Sequence, residues 1–176
     1  MPHPPVEYAE PAPFLAALDD LAEVYSAAFA GPPWDESDDQ VRTFVASVPD
    51  WTARDGFLAA WARDGSGIAG FAFRVRTPAP VPSNGFYGML RDRFGTVVDD
   101  LAGTVEVVEL AVRPDARGGG LGRTLLTTIV DGSPAWLVTR TAATATMAFY
   151  ARLGWQVRAE DDGLALLTHP ALSARS

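Results

Sequence analysis

The stretch Arg117-Gly118-Gly119-Gly120-Leu121-Gly122 decides how this sequence is interpreted. It lies between an apolar run, residues 107–112, and a segment whose apolar residues have helical spacing, residues 124–130. Glycine lets backbone N–H groups approach a ligand closely and permits positive φ. A helix N-terminus adds unpaired N–H donors and a partial positive charge. The stretch therefore predicts a site for a phosphate-bearing ligand.

The spacing of the glycines excludes two common nucleotide sites. A P-loop needs a glycine where Arg117 stands, and it needs a lysine after its last glycine, where this chain has Arg123. A dinucleotide-binding Gly-x-Gly-x-x-Gly that begins at Gly118 also meets Arg123 where its last glycine belongs. Both patterns fail on spacing.

Length and composition indicate one folded domain. The chain has 176 residues, enough to bury a sizeable core, and it is 48% hydrophobic and 20% charged, as globular proteins are. It has no apolar run of about 18 residues, so we expect no membrane span. The first residues lack the basic stretch and the apolar core of a secretory signal, so we expect a cytoplasmic protein.

Charge and residue types exclude several kinds of chemistry. The chain has no cysteine, so we expect no disulfide framework, no thiolate nucleophile and no cysteine zinc site. Its two histidines, His3 and His169, lie near opposite ends, so we expect no metal. The net charge of −8 argues against nucleic acid as a partner and mildly favours a cationic one.

The order of predicted elements indicates an α+β fold. Hairpins come first, and a strand, loop, helix, strand, helix series follows. Ahead of the glycine loop we predict a strand at 6–10, helices over 13–29 and 35–48, strands at 56–62 and 68–75, an extended loop at 77–83 and one or two short helices in 86–101. After it we predict a strand at 136–139, a helix over 142–153 and a final hairpin.

Two motifs together resemble the GNAT superfamily of acetyl-CoA-dependent N-acetyltransferases. Arg117, Gly120 and Gly122 fit Arg-x-x-Gly-x-Gly, and the block from Val108 to Gly122 is similar to the family's central motif almost throughout. The later block Ala148-Phe149-Tyr150-Ala151-Arg152-Leu153-Gly154-Trp155 resembles its helix that carries a tyrosine and ends in glycine plus an aromatic residue. The close resemblance covers residues 104–156.

The resemblance implies the domain organisation and the fold. Residues 1–176 would form a single acetyltransferase domain with a mixed, mostly antiparallel central sheet flanked by helices. Residues 77–103 would be a loop and short-helix insertion near the acceptor site, and residues 171–176 a tail.

The resemblance also implies acetyl-CoA as the acyl donor and the residues that bind it. The backbone of Leu110, Ala111 and Val112 would pair with the pantetheine arm. The pyrophosphate would lie against a contiguous run of seven residues, which are Arg117, Gly118, Gly119, Gly120, Leu121, Gly122 and Arg123. Thr144 stands near the place where family members often have asparagine, and it would supply a polar contact to the arm.

Tyr150 is the predicted proton donor to the leaving thiolate. A thiolate resembles cysteine in basicity, and a tyrosine with a pKa near 10 stays protonated at neutral pH. On a helix, Phe149 and Leu153 share one apolar stripe and Tyr150 lies about 100° round from Phe149. We therefore expect Phe149 and Leu153 to anchor the helix while Tyr150 points elsewhere. The alternative is a tyrosine that only packs.

Glu106 and Glu109 are the candidates for the base that receives the amine's proton. Both lie on an otherwise apolar strand, where an unpaired carboxylate is costly. Residues three apart on a regular strand face opposite sides, so only one would face the reacting centre unless a bulge intervenes. Glu106 falls where several family members place a base, and Glu109 could instead orient water or the acceptor. Either could also be a paired structural carboxylate.

The acceptor side of the site is predicted only from position. Trp34 and Tyr87 lie on or next to loops of the kind that shape acceptor sites, although Trp34 is most simply a helix-packing aromatic residue. The main hypothesis is transfer of an acetyl group to a primary amine of a small molecule or peptide by direct attack. The alternatives are a non-catalytic acyl-CoA-binding sensor or interaction module, and a transferase of longer acyl groups. A homodimer is left open.

Overall fold

A computed structural model describes residues 2–169 of the chain, so the predicted tail at 171–176 lies outside the described residues. The elements are β1 (Val6–Ala9), α1 (Pro11–Ala16), α2 (Leu18–Phe29), α3 (Asp38–Thr52), β2 (Leu58–Asp64), β3 (Gly67–Arg76), α4 (Gly85–Phe94), β4 (Val105–Val112), α5 (Leu121–Val130), β5 (Ala135–Arg140), α6 (Thr144–Arg152), β6 (Gln156–Asp161) and β7 (Leu164–Thr168). The seven strands follow the order β1-β2-β3-β4-β5-β7-β6 in a mostly antiparallel sheet. The predicted α+β class is confirmed.

The chain divides into two compact units. Of the described residues, the first unit comprises 2–75 and 107–131, and the second comprises 76–106 and 132–169. Strand β4 begins in the second unit and continues in the first. Each unit has its own hydrophobic core.

Phe14 on α1 occupies the centre of the first unit's core. It is fully buried, and its ring centroid lies 5.7 to 6.1 Å from those of four aromatic neighbours, which are Phe57, Trp61, Phe71 and Phe73. Three of these four belong to the antiparallel pair β2 and β3. This cluster therefore fixes α1 on the two strands, and offset or edge-to-face contacts stabilise it beyond the buried area.

Two predicted helix boundaries differ from the structure. The predicted helix over 13–29 is two helices that meet at Ala17, where φ is −100° and ψ is 18°. The helix predicted over 35–48 starts at Asp38, because Ser37 and Gln40 form a capping box. That helix also continues past Pro49 to Thr52. Proline has no N–H to donate to the carbonyl four residues earlier, so the last turn of α3 lacks one helical hydrogen bond.

The second unit is built on β5, β7 and β6, with β7 in the middle and antiparallel to both neighbours. The start of β4 pairs with β5 in parallel register, Glu106 opposite Trp136. Residues 77–103 form a loop, helix α4 and the 3-10 helix Gly95–Leu101, whose apolar side chains pack with Trp136 and Leu166. The Trp136 indole N–H donates to Thr77 Oγ1 at 2.8 Å, which ties the loop to β5.

Candidate active site

The glycine loop takes a backbone conformation that L side chains rarely adopt. Gly118 and Gly120 both have φ of +87°, and Gly120 is the left-handed N-cap of α5. A Cβ on Gly118 would meet nothing within 4 Å, and one on Gly120 would meet His3 Cδ2 at 3.9 Å. Glycine is therefore required here by the backbone angles and not by crowding, and the loop surface is open.

The backbone N–H groups of residues 118–123 form the predicted anion site, which we call the N–H cradle. Within residues 2–169, none of these six N–H groups donates to a protein acceptor, and the first paired one is Thr124 N–H, 3.1 Å from Gly120 O. The first turn of a helix leaves such donors free, and the helix dipole adds partial positive charge. The N–H cradle therefore fits a pyrophosphate.

Arg117 holds the loop in place. Its Nε donates to Val112 O at 3.2 Å, and its Nη2 donates to Ala28 O at 3.1 Å, in the last turn of α2. A guanidinium at a helix C-terminus complements the exposed carbonyls there. Arg117 stays a predicted cofactor contact, while Arg123 in the first turn of α5 is exposed.

Arg113, which the sequence interpretation did not assign, fixes the chain between β4 and the loop. Its Nη2 lies 2.7 Å from Asp64 Oδ2, and its Nε lies 2.9 Å from Asp115 Oδ1. These hydrogen bonds hold the pKa of both carboxyl groups below its usual range. Asp64 is 49 residues away in sequence, so no local pattern could reveal this ion pair.

Glu109 lies half-buried on β4, beside backbone that was predicted to bind the pantetheine arm. Its Oε1 accepts the Leu110 N–H at 3.1 Å. Burial raises the pKa of Glu109 to about 8, the Glu36 carboxylate adds to that rise, and the Leu110 N–H opposes it. At neutral pH the group is therefore mostly protonated and close to its titration point.

Glu36 is a second functional candidate that the sequence interpretation missed. It lies half-buried in the connection between α2 and α3, and its Oε2 accepts the Tyr25 hydroxyl at 2.5 Å. Tyr25 in turn stacks on Phe44 with 4.1 Å between ring centroids. Trp34, a predicted substrate contact, lies in the same connection. Its ring packs edge-on against Phe29 on α2, with 5.3 Å between the ring centroids, so it does make the expected helix-packing contact.

Glu106 occupies a different environment in the second unit. It is 3% exposed, and its Oε2 accepts the Tyr87 hydroxyl at 2.6 Å. Tyr87, the other predicted substrate contact, is itself buried on α4 and lies 6.5 Å from the Trp136 ring. The two glutamates thus differ in their partners, because Glu106 Oε2 accepts a tyrosine hydroxyl whereas Glu109 Oε1 accepts the N–H of the next residue.

On α6 the structure buries Tyr150 more deeply than the two expected anchors, Phe149 and Leu153. Tyr150 is the buried residue of this helix, whereas Phe149 and Leu153 are only partly buried. Trp155 explains the difference, since its N–H bonds to Tyr150 O at 3.0 Å and its ring packs edge-on to Tyr150 at 5.7 Å. Thr144, the predicted substitute for asparagine, is the exposed first residue of α6.

The described residues contain neither a membrane-spanning helix nor a cluster of metal-ligating side chains. Over residues 2–169, no helix combines the length and the apolar character that crossing a membrane requires. In the same residues, no group of three or more His, Asp or Glu side chains is arranged to hold a metal ion.

The acetyltransferase (GNAT) domain family matches residues 59–157, more than half of the chain. This range contains the N–H cradle, both glutamates of β4 and Tyr150. The chain belongs to the GNAT acetyltransferase family and is an acyltransferase, as the two motifs predicted. No curated protein matches the sequence.

Solved structures share the fold at low sequence identity. An N-acetyltransferase from Thermoplasma acidophilum in complex with coenzyme A is 17% identical, with a TM-score of 0.62 over 94% of this chain and 98% of that one. The ribosomal-protein-S18-alanine N-acetyltransferase from Escherichia coli is 18% identical, with a TM-score of 0.58 over 94% and 92%. An acetyltransferase from Salmonella typhimurium with its cofactor acetyl-CoA is 16% identical, with a TM-score of 0.54 over 93% and 91%. These likenesses confirm the predicted GNAT-like fold.

Proposed function

We propose that this chain transfers the acetyl group of acetyl-CoA to a primary amine of a small molecule or peptide by direct attack. The observation that carries the proposal is the N–H cradle, six unpaired donors at the start of α5 that follow a strand with a titratable carboxyl group. Family membership supports acetyl transfer. The coenzyme A and acetyl-CoA complexes of the two structural relatives support the donor.

The chain's own groups suffice to hold coenzyme A. The N–H cradle would bind the pyrophosphate, and the backbone of residues 110–112 would pair with the pantetheine arm. A hydrogen bond to a charged group contributes about 1.5–3 kcal/mol, and micromolar affinity needs about 8 kcal/mol. A few contacts in the N–H cradle would therefore reach that affinity. Bound acetyl-CoA supplies an activated thioester.

Glu109 is our choice of base. An alkyl ammonium with a pKa near 10.4 costs about 4.6 kcal/mol to deprotonate at pH 7. A carboxylate whose pKa is about 8 is a better proton acceptor than an ordinary glutamate, and enough of it is ionised near neutral pH to act. The amine nitrogen attacks the thioester carbonyl carbon, the C–S bond breaks, and the amine's proton passes to Glu109. Glu106 instead accepts the Tyr87 hydroxyl as a positioning pair.

Tyr150 keeps the role that the family resemblance implies, proton donor to the departing thiolate. A phenol with the ordinary tyrosine pKa near 10 holds a proton at neutral pH that it can donate. The packing of Tyr150 against Trp155 and Phe149 supports a fixed ring, as proton donation to one sulfur atom requires. Thr144 stays a proposed polar contact to the pantetheine arm.

Glu36 and Trp34 are our choice for the acceptor side. The Tyr25 hydroxyl orients the Glu36 carboxylate, and a carboxylate attracts an ammonium group before it loses its proton. The aromatic rings of Trp34 and Phe29 offer an apolar surface to the carbon chain of the amine. Tyr87 would act through Glu106, since its hydroxyl already donates there.

An amine panel tests this function. The enzyme is incubated with acetyl-CoA and primary amines that differ in size and charge, and release of coenzyme A and acetylated product are measured by thiol detection and mass spectrometry. We expect product with at least one amine and slower turnover with longer acyl-CoAs. Tight binding of acetyl-CoA without turnover on any amine or peptide would instead favour a sensor.

A further inference from the structure

The segment before β1 places His3 against the start of α5. The imidazole Nε2 lies 2.9 Å from Thr124 Oγ1, one residue beyond the N–H cradle. The ring atom Cδ2 lies 3.9 Å from the position that a Cβ on Gly120 would take. The same edge of the ring, Cδ2 and Nε2, therefore borders the proposed pyrophosphate site.

The second ring nitrogen indicates how the imidazole is protonated. Nδ1 lies 2.7 Å from Pro4 O, and a carbonyl oxygen only accepts hydrogen bonds, so Nδ1 carries the hydrogen. In the neutral ring Nε2 is then an acceptor, which takes the Thr124 hydroxyl hydrogen. A proton added to Nε2 converts the same atom into a donor. The Thr124 hydroxyl also lies 3.3 Å from Gly120 O, so it has two acceptors in the free protein. An anion beside Thr124 would compete with these two acceptors for the hydroxyl hydrogen and would find a second donor in Nε2–H.

We propose that His3 is a further ligand of the coenzyme A pyrophosphate, acting with the Thr124 hydroxyl at the edge of the N–H cradle. The doubly protonated imidazole donates Nε2–H to a phosphate oxygen, and the Thr124 hydroxyl, released from the ring, donates a second hydrogen bond. Hydrogen bonds between ionised partners are shorter and stronger than neutral ones. This inference rests on the proposed use of acetyl-CoA.

The charged groups around His3 leave this role open to a phosphate. The elements next to the segment carry Glu7 on β1, Arg123 on α5 and Arg117 in the loop. Within residues 2–169, none of the three forms an ion pair or a hydrogen bond with His3, and Arg117 donates to two carbonyls. No carboxylate pairs with the imidazole in these residues, so the negative charge next to a protonated His3 would come from the phosphate of the ligand.

Truncated ligands and variants test the inference. Isothermal titration at pH 6.5 measures the Kd of acetyl-CoA, its 3′-dephospho form and S-acetylpantetheine for wild type, His3→Ala and His3→Gln. We expect His3→Ala to weaken both phosphate-bearing ligands by about tenfold and to leave S-acetylpantetheine unchanged. His3→Gln, whose amide can still donate, should recover part of the loss. His169→Ala, at the chain's other histidine, is the matched control and should bind all three like wild type.

The outcomes separate this inference from the proposed function. Failure of wild type to bind acetyl-CoA would overturn both. Three results for His3→Ala would overturn the role of His3 alone: wild-type affinity for acetyl-CoA, tighter binding of acetyl-CoA, or an equal loss of affinity for S-acetylpantetheine. A loss of affinity for acetyl-CoA that disappears with the 3′-dephospho ligand would also overturn it, because the contact would then be to the 3′-phosphate. Ligand-free melting temperatures of all variants distinguish a lost contact from a damaged fold.

Discussion

The Tyr25 hydroxyl donates to the Glu36 carboxylate at 2.5 Å. This contact holds a negative charge in the connection between α2 and α3, and that charge helps to raise the pKa of Glu109 to about 8. The charge of a carboxylate in this connection thus influences the titration of the proposed base on β4.

The pH dependence of catalysis tests Glu109 directly. A base acts in its ionised form, so kcat/KM should rise with pH and level off above an apparent pKa of about 8. Glu109→Gln should lower kcat/KM by roughly 10²- to 10⁴-fold, the usual contribution of general base catalysis, and should abolish the rise. Glu106→Gln is the control and should keep the rise, because Glu106 accepts the Tyr87 hydroxyl. An unchanged profile in Glu109→Gln would remove Glu109 from the mechanism.

Glu36→Gln should shift the same profile. A neighbouring negative charge disfavours ionisation, so removing it lowers the pKa of Glu109 and moves the rise in kcat/KM to lower pH. Tyr25→Phe keeps the charge and removes only the hydrogen bond, so its rise should stay near the wild-type position. The measurement is the pH dependence of kcat/KM for wild type, Glu36→Gln and Tyr25→Phe with one amine. A shift in Tyr25→Phe with none in Glu36→Gln would contradict the electrostatic coupling.

Protein stability should report the same group without catalysis. The pKa of Glu109 is about 8 in the folded protein and near 4.5 when exposed, so the folded state binds the extra proton between these values. The contribution of Glu109 to stability is therefore complete below about pH 4.5 and is lost as pH rises to about 8. Glutamine resembles the protonated carboxyl group. The denaturant midpoint of Glu109→Gln relative to wild type should rise from pH 5 to pH 8, and a constant difference would show that the pKa is not raised.

Alanine at the loop glycines should weaken cofactor binding. Gly118→Ala and Gly120→Ala each place a side chain at φ of +87°, which costs about 1–2 kcal/mol and favours another loop conformation. We expect the Kd of acetyl-CoA to rise by at least about tenfold, measured by titration calorimetry. Gly65→Ala is the matched control, because its Cβ also meets nothing within 4 Å and its φ is not in the left-handed region. Full affinity in both loop variants would argue against the N–H cradle.

Tyr150→Phe should separate binding from turnover. The variant keeps the buried ring and its packing on Trp155, so it should bind acetyl-CoA like wild type. Without the phenolic proton, kcat should fall by about 10²- to 10⁴-fold. Tyr8→Phe, at an exposed tyrosine on β1, should leave both quantities unchanged. Stopped-flow rates and titration calorimetry measure the two effects, and an unaltered kcat would exclude Tyr150 as the thiolate donor.

The sequence was sufficient for features that depend on neighbours in the chain. Two apolar runs on either side of the turn residues 64–67 predicted the β2–β3 hairpin, and the freedom of glycine to adopt positive φ predicted the loop before α5. The break at Ala17 has no such signal, because neither glycine nor proline marks it. The contact between Trp155 and Tyr150 has no such signal either, because helical periodicity does not describe how the residues after α6 pack on it.

Contacts between distant residues were beyond local patterns. Tyr25 and Glu36 are 11 residues apart, Asp64 and Arg113 are 49 apart, and His3 and Thr124 are 121 apart. The choice between Glu106 and Glu109 also needed the fold, since identical side chains three residues apart differ only in their tertiary partners. Sequence therefore predicts where the donor would bind, while the tertiary structure is needed to rank the candidate bases.

The most direct test of direct acetyl transfer uses labelled donor in a single turnover. Enzyme in excess is mixed with trideuteroacetyl-CoA and an amine from the panel, and the reaction is quenched at successive times. The masses of the protein and of the amine are then measured by mass spectrometry. We predict that the label appears on the amine at the rate at which coenzyme A is released, with no labelled protein at any time. Label that appears on the protein before it appears on the amine, or label that stays on coenzyme A, would contradict direct transfer.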